Sequence, residues 1–179
     1  MDNTFEVILA GFGGQGILFA GKVIAYAGML AGKEVSWLPS YGPEMRGGTA
    51  NCHVIVSDQP VGSPIINEPK TVIAMNRPSL DKYENAVASG GSIFVDSALI
   101  DRKITRADIK GIEIPATQLA MDMDAPKLAN IVLLGKVVKE TGFVSLETVK
   151  EAFSKIVPPS KKDLIDLNIK ALELGYNYN

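Results

Sequence analysis

The chain has 179 residues, of which 46% are hydrophobic and 21% are charged, as is typical of a globular protein with a sizeable core. Its net charge is −2, and its lysines and arginines are spread along the chain, which argues against nucleic-acid binding. The single cysteine, Cys52, excludes an internal disulfide and an iron–sulfur cluster, and the single histidine, His53, argues against a zinc site. We expect a cytoplasmic protein, because the sequence has neither a basic signal-peptide start nor a run of 18 apolar residues that could cross a membrane.

Predicted strands and helices alternate over the first part of the chain. An apolar run at residues 5–10 predicts a buried strand. Small residues at helical spacing in residues 15–31 predict a helix that packs closely against a sheet, with Gly32 as its C-terminal cap. The remaining predicted elements of this part are strands at 34–38, 50–56, 71–75, 92–95 and 111–114 and a helix at 79–88.

The last third of the chain is predicted to be helical. Residues 127–140, KLANIVLLGKVVKE, are apolar on almost all sides and predict a buried helix. Ser145 and Ser160 are predicted N-caps of two further helices. Together the elements predict a single α/β domain over residues 1–179. It would be a Rossmann-like, open, mostly parallel sheet flanked by helices, with a helical C-terminal part.

The sequence GFGGQG, Gly11 to Gly16, lies between the first predicted strand and the first predicted helix. Its glycines permit a tight turn, and the N-terminus of the helix offers N–H groups to an anion. An NAD site would also need an acid near the end of the second strand, but Glu34 lies at the beginning of that strand. The turn therefore either binds a phosphate or lets strand and helix pack closely. Likewise, Gln15 either points to a ligand or facing subunit, or caps the helix.

The sequence YGPEMRGG, Tyr41 to Gly48, follows the second predicted strand. One proline and three glycines give this loop a preset shape. Arg46 either pairs with Glu44 or offers its guanidinium fork to a carboxylate or phosphate. Because both glycine-rich segments follow strands, we expect both at the carboxyl edge of the sheet, where ligands of open α/β sheets bind.

Other polar residues do not complete a catalytic arrangement. Cys52 and His53 are neighbours in a predicted strand and should point to opposite faces, which argues against a thiol–imidazole pair. Asp96 and Ser97 follow a strand and either make a polar contact or form a turn or cap. The segment 76–78 follows another strand and lies either at the same edge or in solvent.

Five segments resemble the gamma subunit of the 2-oxoacid:ferredoxin oxidoreductases, in the same order and spacing over about residues 5–100. They are GFGGQGILFAGKVIAYA, SYGPEMRGGTANCHVIVSD, GSPII, IAMNRPSLDKYE and GGSIFVDSALI. The resemblance implies a role in the oxidative decarboxylation of a 2-oxoacid to an acyl-CoA, with reduction of ferredoxin. Thiamine diphosphate and the iron–sulfur clusters would be carried mainly by other subunits, and CoA would bind in the assembled complex. We take 2-oxoglutarate as the first substrate candidate and a branched-chain 2-oxoacid as the second.

The resemblance also implies partners and site residues. The chain would pack against alpha, beta and ferredoxin-like subunits and be inactive alone. Independently of the resemblance, the small-residue face of the first helix and the apolar helical tail allow a homodimer of the isolated chain. Two loops would face the active site or the alpha subunit, with Arg46 near an anionic group of CoA or substrate, or bridging subunits. The loop residues are Gly11, Gly13, Gly14, Gln15, Gly16, Tyr41, Gly42, Pro43, Glu44, Arg46, Gly47 and Gly48. A stand-alone Rossmann nucleotide-binding protein and a purely structural assembly subunit remain as alternatives.

Overall fold

A computed structural model describes residues 4–40 and 49–179. In this part of the chain the strands are β1 (Phe5–Phe12), β2 (Glu34–Ser40), β3 (Thr49–Ser57), β4 (Thr71–Ala74), β5 (Ser92–Asp96) and β6 (Lys110–Ile114). The helices are α1 (Ile17–Leu30), α2 (Arg77–Tyr83), α3 (Ala116–Asp122), α4 (Ala129–Thr141), α5 (Leu146–Ile156) and α6 (Lys162–Asn177). Short 3-10 turns lie at Glu84–Ala86, Pro126–Leu128 and Pro159–Lys161.

The strands form one sheet in the order β2-β3-β1-β4-β5-β6. Strands β1, β4, β5 and β6 run parallel to one another, whereas β3 is antiparallel to both of its neighbours, β1 and β2. The reversal of β3 follows from chain length. Only eight residues separate Ser40 from Thr49, and a parallel return would need a crossover of about a dozen residues or more. The predicted α/β fold with a mostly parallel sheet is confirmed, with β3 as the reversed strand.

The two faces of the sheet carry separate hydrophobic cores. Helix α1 and the C-terminal helices cover the larger core, which includes Phe94, Ile131 and Phe153. Helix α2 and the connections before β4 and β6 cover the smaller one, which includes Leu80 and Ile93. The chain therefore leaves β1 towards one face and β4 towards the other. This makes the crevice between the carboxyl ends of β1 and β4 a topological switch point, where ligands of open α/β sheets usually bind.

Helix α1 packs closely against the sheet, as its small residues predict. A Cβ atom on Gly28 would lie 2.8 Å from a methyl carbon of Val56 in β3, so only glycine fits there without a shift of the neighbouring side chains. The helix ends as predicted, with Gly32 at a φ of 72° just after it. The N–H of Lys33 donates to the carbonyl of Gly28 at 3.0 Å, which closes a Schellman-type C-cap.

Helix α4 is buried on nearly all sides, as its apolar sequence predicts. Four consecutive residues, from Ile131 to Leu134, have no measurable exposure. Across residues 4–40 and 49–179, no helix combines the length and apolar character that a membrane span requires.

The two predicted serine caps have different outcomes. Ser145 does cap α5, since its hydroxyl oxygen accepts a hydrogen bond from the N–H of Thr148 at 3.1 Å. The prediction for Ser160 is wrong, because this residue lies inside the 3-10 turn Pro159–Lys161 and α6 begins at Lys162. The fixed φ of a proline at the first position of a helical turn accounts for the early start.

Candidate functional site

The glycine turn and the two residues that flank the second loop, Ser40 and Thr49, lie at the same carboxyl edge of the sheet. Phe12, at the end of β1, pairs with Thr49 of β3, and Ser40, at the end of β2, pairs with Asn51. The loop itself, Tyr41–Gly48, lies outside the residues that the structure describes. That loop contains the predicted site residues Tyr41, Gly42, Pro43, Glu44, Arg46, Gly47 and Gly48. The residues that flank it, Ser40 and Thr49, therefore both lie at the carboxyl edge where ligands are expected, and Thr49 is next to the glycine turn.

The glycines of the turn serve different purposes. Gly11 is buried, and a Cβ atom there would lie 2.6 Å from the Gln15 side-chain oxygen, so a larger residue would displace the Gln15 amide. Gly14 and Gly16 have φ values of 96° and 74°, in the left-handed region that favours glycine. Gly14 is exposed, and a Cβ atom there would meet nothing within 4 Å. Gly13 is half-buried.

Gln15 ties together the carboxyl ends of two strands. Its side-chain oxygen accepts a hydrogen bond from the N–H of Phe12 at 2.7 Å, and its Nε2 donates to the carbonyl of Met75, just after β4, at 3.0 Å. Helix α1 has no side-chain cap among the described residues, so Gln15 does not cap it. The amide instead spans the switch-point crevice that a dinucleotide would enter in a Rossmann-type protein.

A small cleft of about 150 Å³ lies beside Gln15. Its walls come from the glycine turn, the end of β4, and the starts of α3 and α4. The lining residues are Gly14, Gln15, Met75, Thr117, Pro126, Lys127 and Ala129. Lys127 is an exposed cation, and no carboxylate is among the lining residues. The glycine turn leads directly into α1, whose first turn has no acidic residue, so Lys127 and the positive end of the α1 dipole both favour an anionic group at this cleft.

Asp96 holds one wall of the cleft in place through buried hydrogen bonds. Its fully buried carboxylate accepts hydrogen bonds from the N–H and the hydroxyl of Thr117, at 3.1 and 2.5 Å, and from the N–H of Ala98 at 3.1 Å. These contacts fix the start of α3 beside the cleft. Asp96 therefore both shapes a turn, through Ala98, and makes a polar contact, with Thr117.

Asn76 has a comparable structural role at the end of β4. Its side-chain oxygen accepts the N–H of Ser79 at 2.8 Å and caps α2. Helix α2 therefore begins at Arg77, two residues before its predicted start.

Asn130 is a buried polar residue that the sequence interpretation missed. Its Nδ2 donates to the carbonyl of Gly16 at 2.9 Å, which joins the start of α4 to the glycine turn. Only 3% of its surface is exposed. The available sequence signal was a single amide within an otherwise apolar helical run.

Cys52 and His53 do not form a catalytic pair. Cys52 packs in the larger core, where burial raises the pKa of its thiol to about 12. His53 accepts a hydrogen bond at Nδ1 from the N–H of Ile66, which lies in the smaller core on the other face. Burial, and then the charge of Lys82, lowers the pKa of the imidazole. Over the described ranges no group of three or more His, Cys, Asp or Glu residues is arranged to hold a metal ion.

Comparisons with known proteins agree over almost the whole chain. Residues 6–178 match the family described as Pyruvate ferredoxin/flavodoxin oxidoreductase. The ketoisovalerate oxidoreductase subunit VorA of Methanothermobacter thermautotrophicus is 39% identical over 172 residues, which cover 95% of this chain and 35% of VorA. The 2-oxoglutarate synthase subunit KorC of Methanocaldococcus jannaschii is 36% identical over 174 residues, which cover 96% of this chain and 91% of KorC.

A solved structure shares the fold. It is the gamma subunit of a keto/oxoacid ferredoxin oxidoreductase from Geobacter sulfurreducens PCA, with a TM-score of 0.84 and 32% identity over 97% of this chain and 94% of that one. The chain thus spans about a third of VorA but nearly all of KorC and of the Geobacter subunit. The resemblance found in the sequence is confirmed, and the chain belongs to the pyruvate ferredoxin/flavodoxin oxidoreductase family.

Proposed function

We propose that the chain is the gamma subunit of a 2-oxoacid:ferredoxin oxidoreductase and that the complex oxidises 2-oxoglutarate. The observation that carries the proposal is the end-to-end similarity to KorC, a 2-oxoglutarate synthase subunit of nearly the same length. A branched-chain 2-oxoacid is the second candidate, which the slightly higher identity to the ketoisovalerate subunit VorA favours.

Other subunits would carry the redox chemistry. The only cysteine of this chain is fully buried and has a raised thiol pKa, so it does not fit an iron–sulfur cluster, which needs several thiolates. In such a complex thiamine diphosphate would activate the 2-oxoacid, and the thiol of CoA would accept the acyl group. The gamma subunit would bind and orient an anionic part of CoA or of the 2-oxoacid at its carboxyl edge.

The charges at that edge support this role. Lys127 and two residues of the glycine turn, Gly14 and Gln15, line the cleft, and α1 begins directly after that turn. Thr49, the residue after the loop that contains Arg46, pairs with Phe12 just before the turn. A pure assembly subunit would use the same charged groups to bridge subunits. The two roles can be distinguished because the affinity for the ligand depends on these groups only in the ligand-binding role. The stand-alone nucleotide-binding alternative is disfavoured, because Gln15 bridges the switch-point crevice through its own amide.

Purification of the complex under anaerobic conditions is the first test. The tagged chain is isolated from its native cells, its co-purifying chains are identified, and CoA-dependent dye reduction is measured. The substrates compared are 2-oxoglutarate, 3-methyl-2-oxobutanoate and pyruvate. We expect a thiamine-binding chain, a cluster-bearing chain and turnover of 2-oxoglutarate. A lone chain that binds a nucleotide tightly would refute the proposal, and preferential turnover of another 2-oxoacid would correct the substrate.

Two substitutions test the role of the edge. In the reconstituted complex, Lys127→Ala and Arg46→Ala should each raise the KM for CoA or for the 2-oxoacid by about tenfold, the factor expected for loss of one charge-assisted hydrogen bond. Lys155→Ala is the matched control, since Lys155 is an exposed lysine on α5 outside the cleft lining. Loss of assembly with unchanged KM values in the assembled fraction would favour the pure assembly role.

A further inference from the structure

Asn130 joins two walls of the cleft that are far apart in sequence. Its Nδ2 donates to the carbonyl of Gly16 at 2.9 Å across 114 residues. Gly16 belongs to the glycine turn, whereas Lys127 and Ala129, just before Asn130, line the opposite wall. This hydrogen bond therefore links the turn directly to the lysine-bearing segment.

The fit between Asn130 and Gly16 is specific. Gly16 has a left-handed φ of 74°, and a Cβ atom there would lie 3.0 Å from the Asn130 side-chain carbonyl carbon and closer still to its nitrogen. The Gly16 carbonyl already accepts the N–H of Ala20 at 3.0 Å, so the helix does not need Asn130 to satisfy that oxygen. The Asn130 amide therefore serves to hold the glycine turn in place. It does not supply a hydrogen bond that the Gly16 carbonyl would otherwise lack.

Asn130 is also an unfavourable residue for a purely structural position. It is 3% exposed, and its side-chain oxygen has no hydrogen-bond partner among residues 4–40 and 49–179. A buried acceptor without a partner destabilises a fold, and an apolar residue of similar shape is often neutral or stabilising in its place. A polar residue at such a position calls for an explanation, and a role at the site above it is one.

We infer that Asn130 is a positioning residue, which holds the glycine turn against the start of α4 so that the turn and Lys127 bind the same anionic group. That group is a phosphate of CoA or the carboxylate of the 2-oxoacid. The inference rests on the proposed function, because it requires a ligand at this edge. Asn130 itself touches the turn and is not assigned a contact with the ligand.

The test uses the reconstituted complex with Asn130→Leu. The expected result is a KM raised about tenfold, with kcat changed less than twofold and a thermal midpoint equal to or above that of the unchanged complex. A rise confined to the KM for CoA identifies the CoA phosphate as the anionic group, and a rise confined to the KM for the 2-oxoacid identifies its carboxylate. Asn130→Ala, which removes the amide without adding volume, should raise the same KM and provides the measurement if the leucine variant fails to fold.

Asn168→Leu is the matched control. Asn168 is also buried, its Nδ2 also donates to a backbone carbonyl, that of Leu164 at 2.7 Å, and its side-chain oxygen also lacks a partner among the described residues. Asn168 also borders a separate cleft that Pro126 and Lys127 line, but it bonds within its own helix and not to the turn. Both KM values should therefore stay within twofold if the bond to the turn is what matters.

The outcomes separate the inference from the proposed function. If Lys127→Ala raises a KM and neither Asn130 variant does, Asn130 is only structural and the inference fails while the role of the edge stands. If neither Lys127→Ala nor the Asn130 variants change a KM, the ligand role of the edge fails and the inference fails with it. An equal rise in KM for Asn168→Leu would also overturn the inference, because it would show a general effect of altering a buried amide.

Discussion

Replacing Gly175 with alanine is expected to destabilise the fold strongly. Gly175 lies where α6 crosses α4, and a Cβ atom there would lie 2.6 Å from the carbonyl carbon and 3.0 Å from the Cα of Val132, and closer still to the Val132 oxygen. The obstacle is the backbone of a buried helix, which cannot move aside as the end of a side chain can. Helix α6 would have to move away by roughly 1 Å, a gap that already forfeits a quarter to a half of each dispersion contact it loosens.

The magnitude follows from two opposing effects. Glycine to alanine inside a helix is favourable by about 1 kcal/mol on intrinsic propensity. Against this, the displaced interface includes Ala171 and Leu172, which have no measurable exposure, and overpacking of a rigid core site costs about 1–3 kcal/mol or more. Because the obstacle is backbone, we take the overpacking cost at the upper end of this range and expect a net loss of about 2 kcal/mol, and hence a fall of roughly 4–8 °C in thermal midpoint for a chain of this size.

Circular dichroism melts and urea titrations of the isolated chain would measure the loss. Gly28→Ala is the matched control, because Gly28 is also helical but a Cβ atom there would meet only the side-chain methyls of Val35 and Val56. A smaller loss is expected for it. A Gly175→Ala chain at least as stable as the unchanged protein would show that helix propensity dominates and that α4 and α6 are not in backbone contact.

Three further predictions concern titratable groups. Burial raises the pKa of Cys52 to about 12, so iodoacetamide at pH 8 should label this thiol only after the chain unfolds. Rapid labelling of the native chain, detected by mass spectrometry, would contradict the placement of Cys52 in the core. Burial lowers the pKa of His53 below 6.5. Because the unfolded chain then binds the proton more tightly than the folded chain, the free energy of unfolding should fall as the pH drops below 6.5. The NMR resonance of the single imidazole should titrate below that pH. Burial alone would raise the pKa of Glu84, but hydrogen bonds from Thr105 and Arg102 lower it from 4.5 to about 2. The stability that Glu84 contributes is therefore present above pH 4.5 and lost between about pH 4.5 and 2, and urea titrations of Glu84→Gln should show a flatter pH dependence in that window.

Much of the fold could be predicted because its buried strands are short apolar runs between glycines, prolines and polar turns. The strands of the described sheet all coincide with predicted segments, and α4 was recognisable from its unbroken apolar sequence. In contrast, α3 was missed, because its sequence ATQLAMD has neither a serine-type cap nor a long apolar period. Its start is instead fixed by Asp96, which lies 21 residues earlier in the chain.

The candidate site was predictable only in part, for the same reason. The glycine turn has a local signature of glycines between a strand and a helix, so Gln15 could be singled out, although its choice of partners could not. Its bond to Met75 spans 60 residues, and the bond from Asn130 to Gly16 spans 114. No local pattern marks either pair, because the contacts exist only once the strands and α4 have assembled.

The reversal of β3 shows how the strand order creates this site. If β3 ran parallel to β2, its first residue would lie at the opposite edge, and the segment after Ser40 would have to cross the length of the sheet. Because β3 runs back along β2, Ser40 and Thr49 both lie at the carboxyl edge, and Thr49 pairs with Phe12 next to the glycine turn. The short connection that prevents a crossover is therefore also what keeps Ser40 and Thr49, which flank the arginine-containing loop, at the carboxyl edge. Lengthening that connection should therefore alter this edge while leaving the two hydrophobic cores intact.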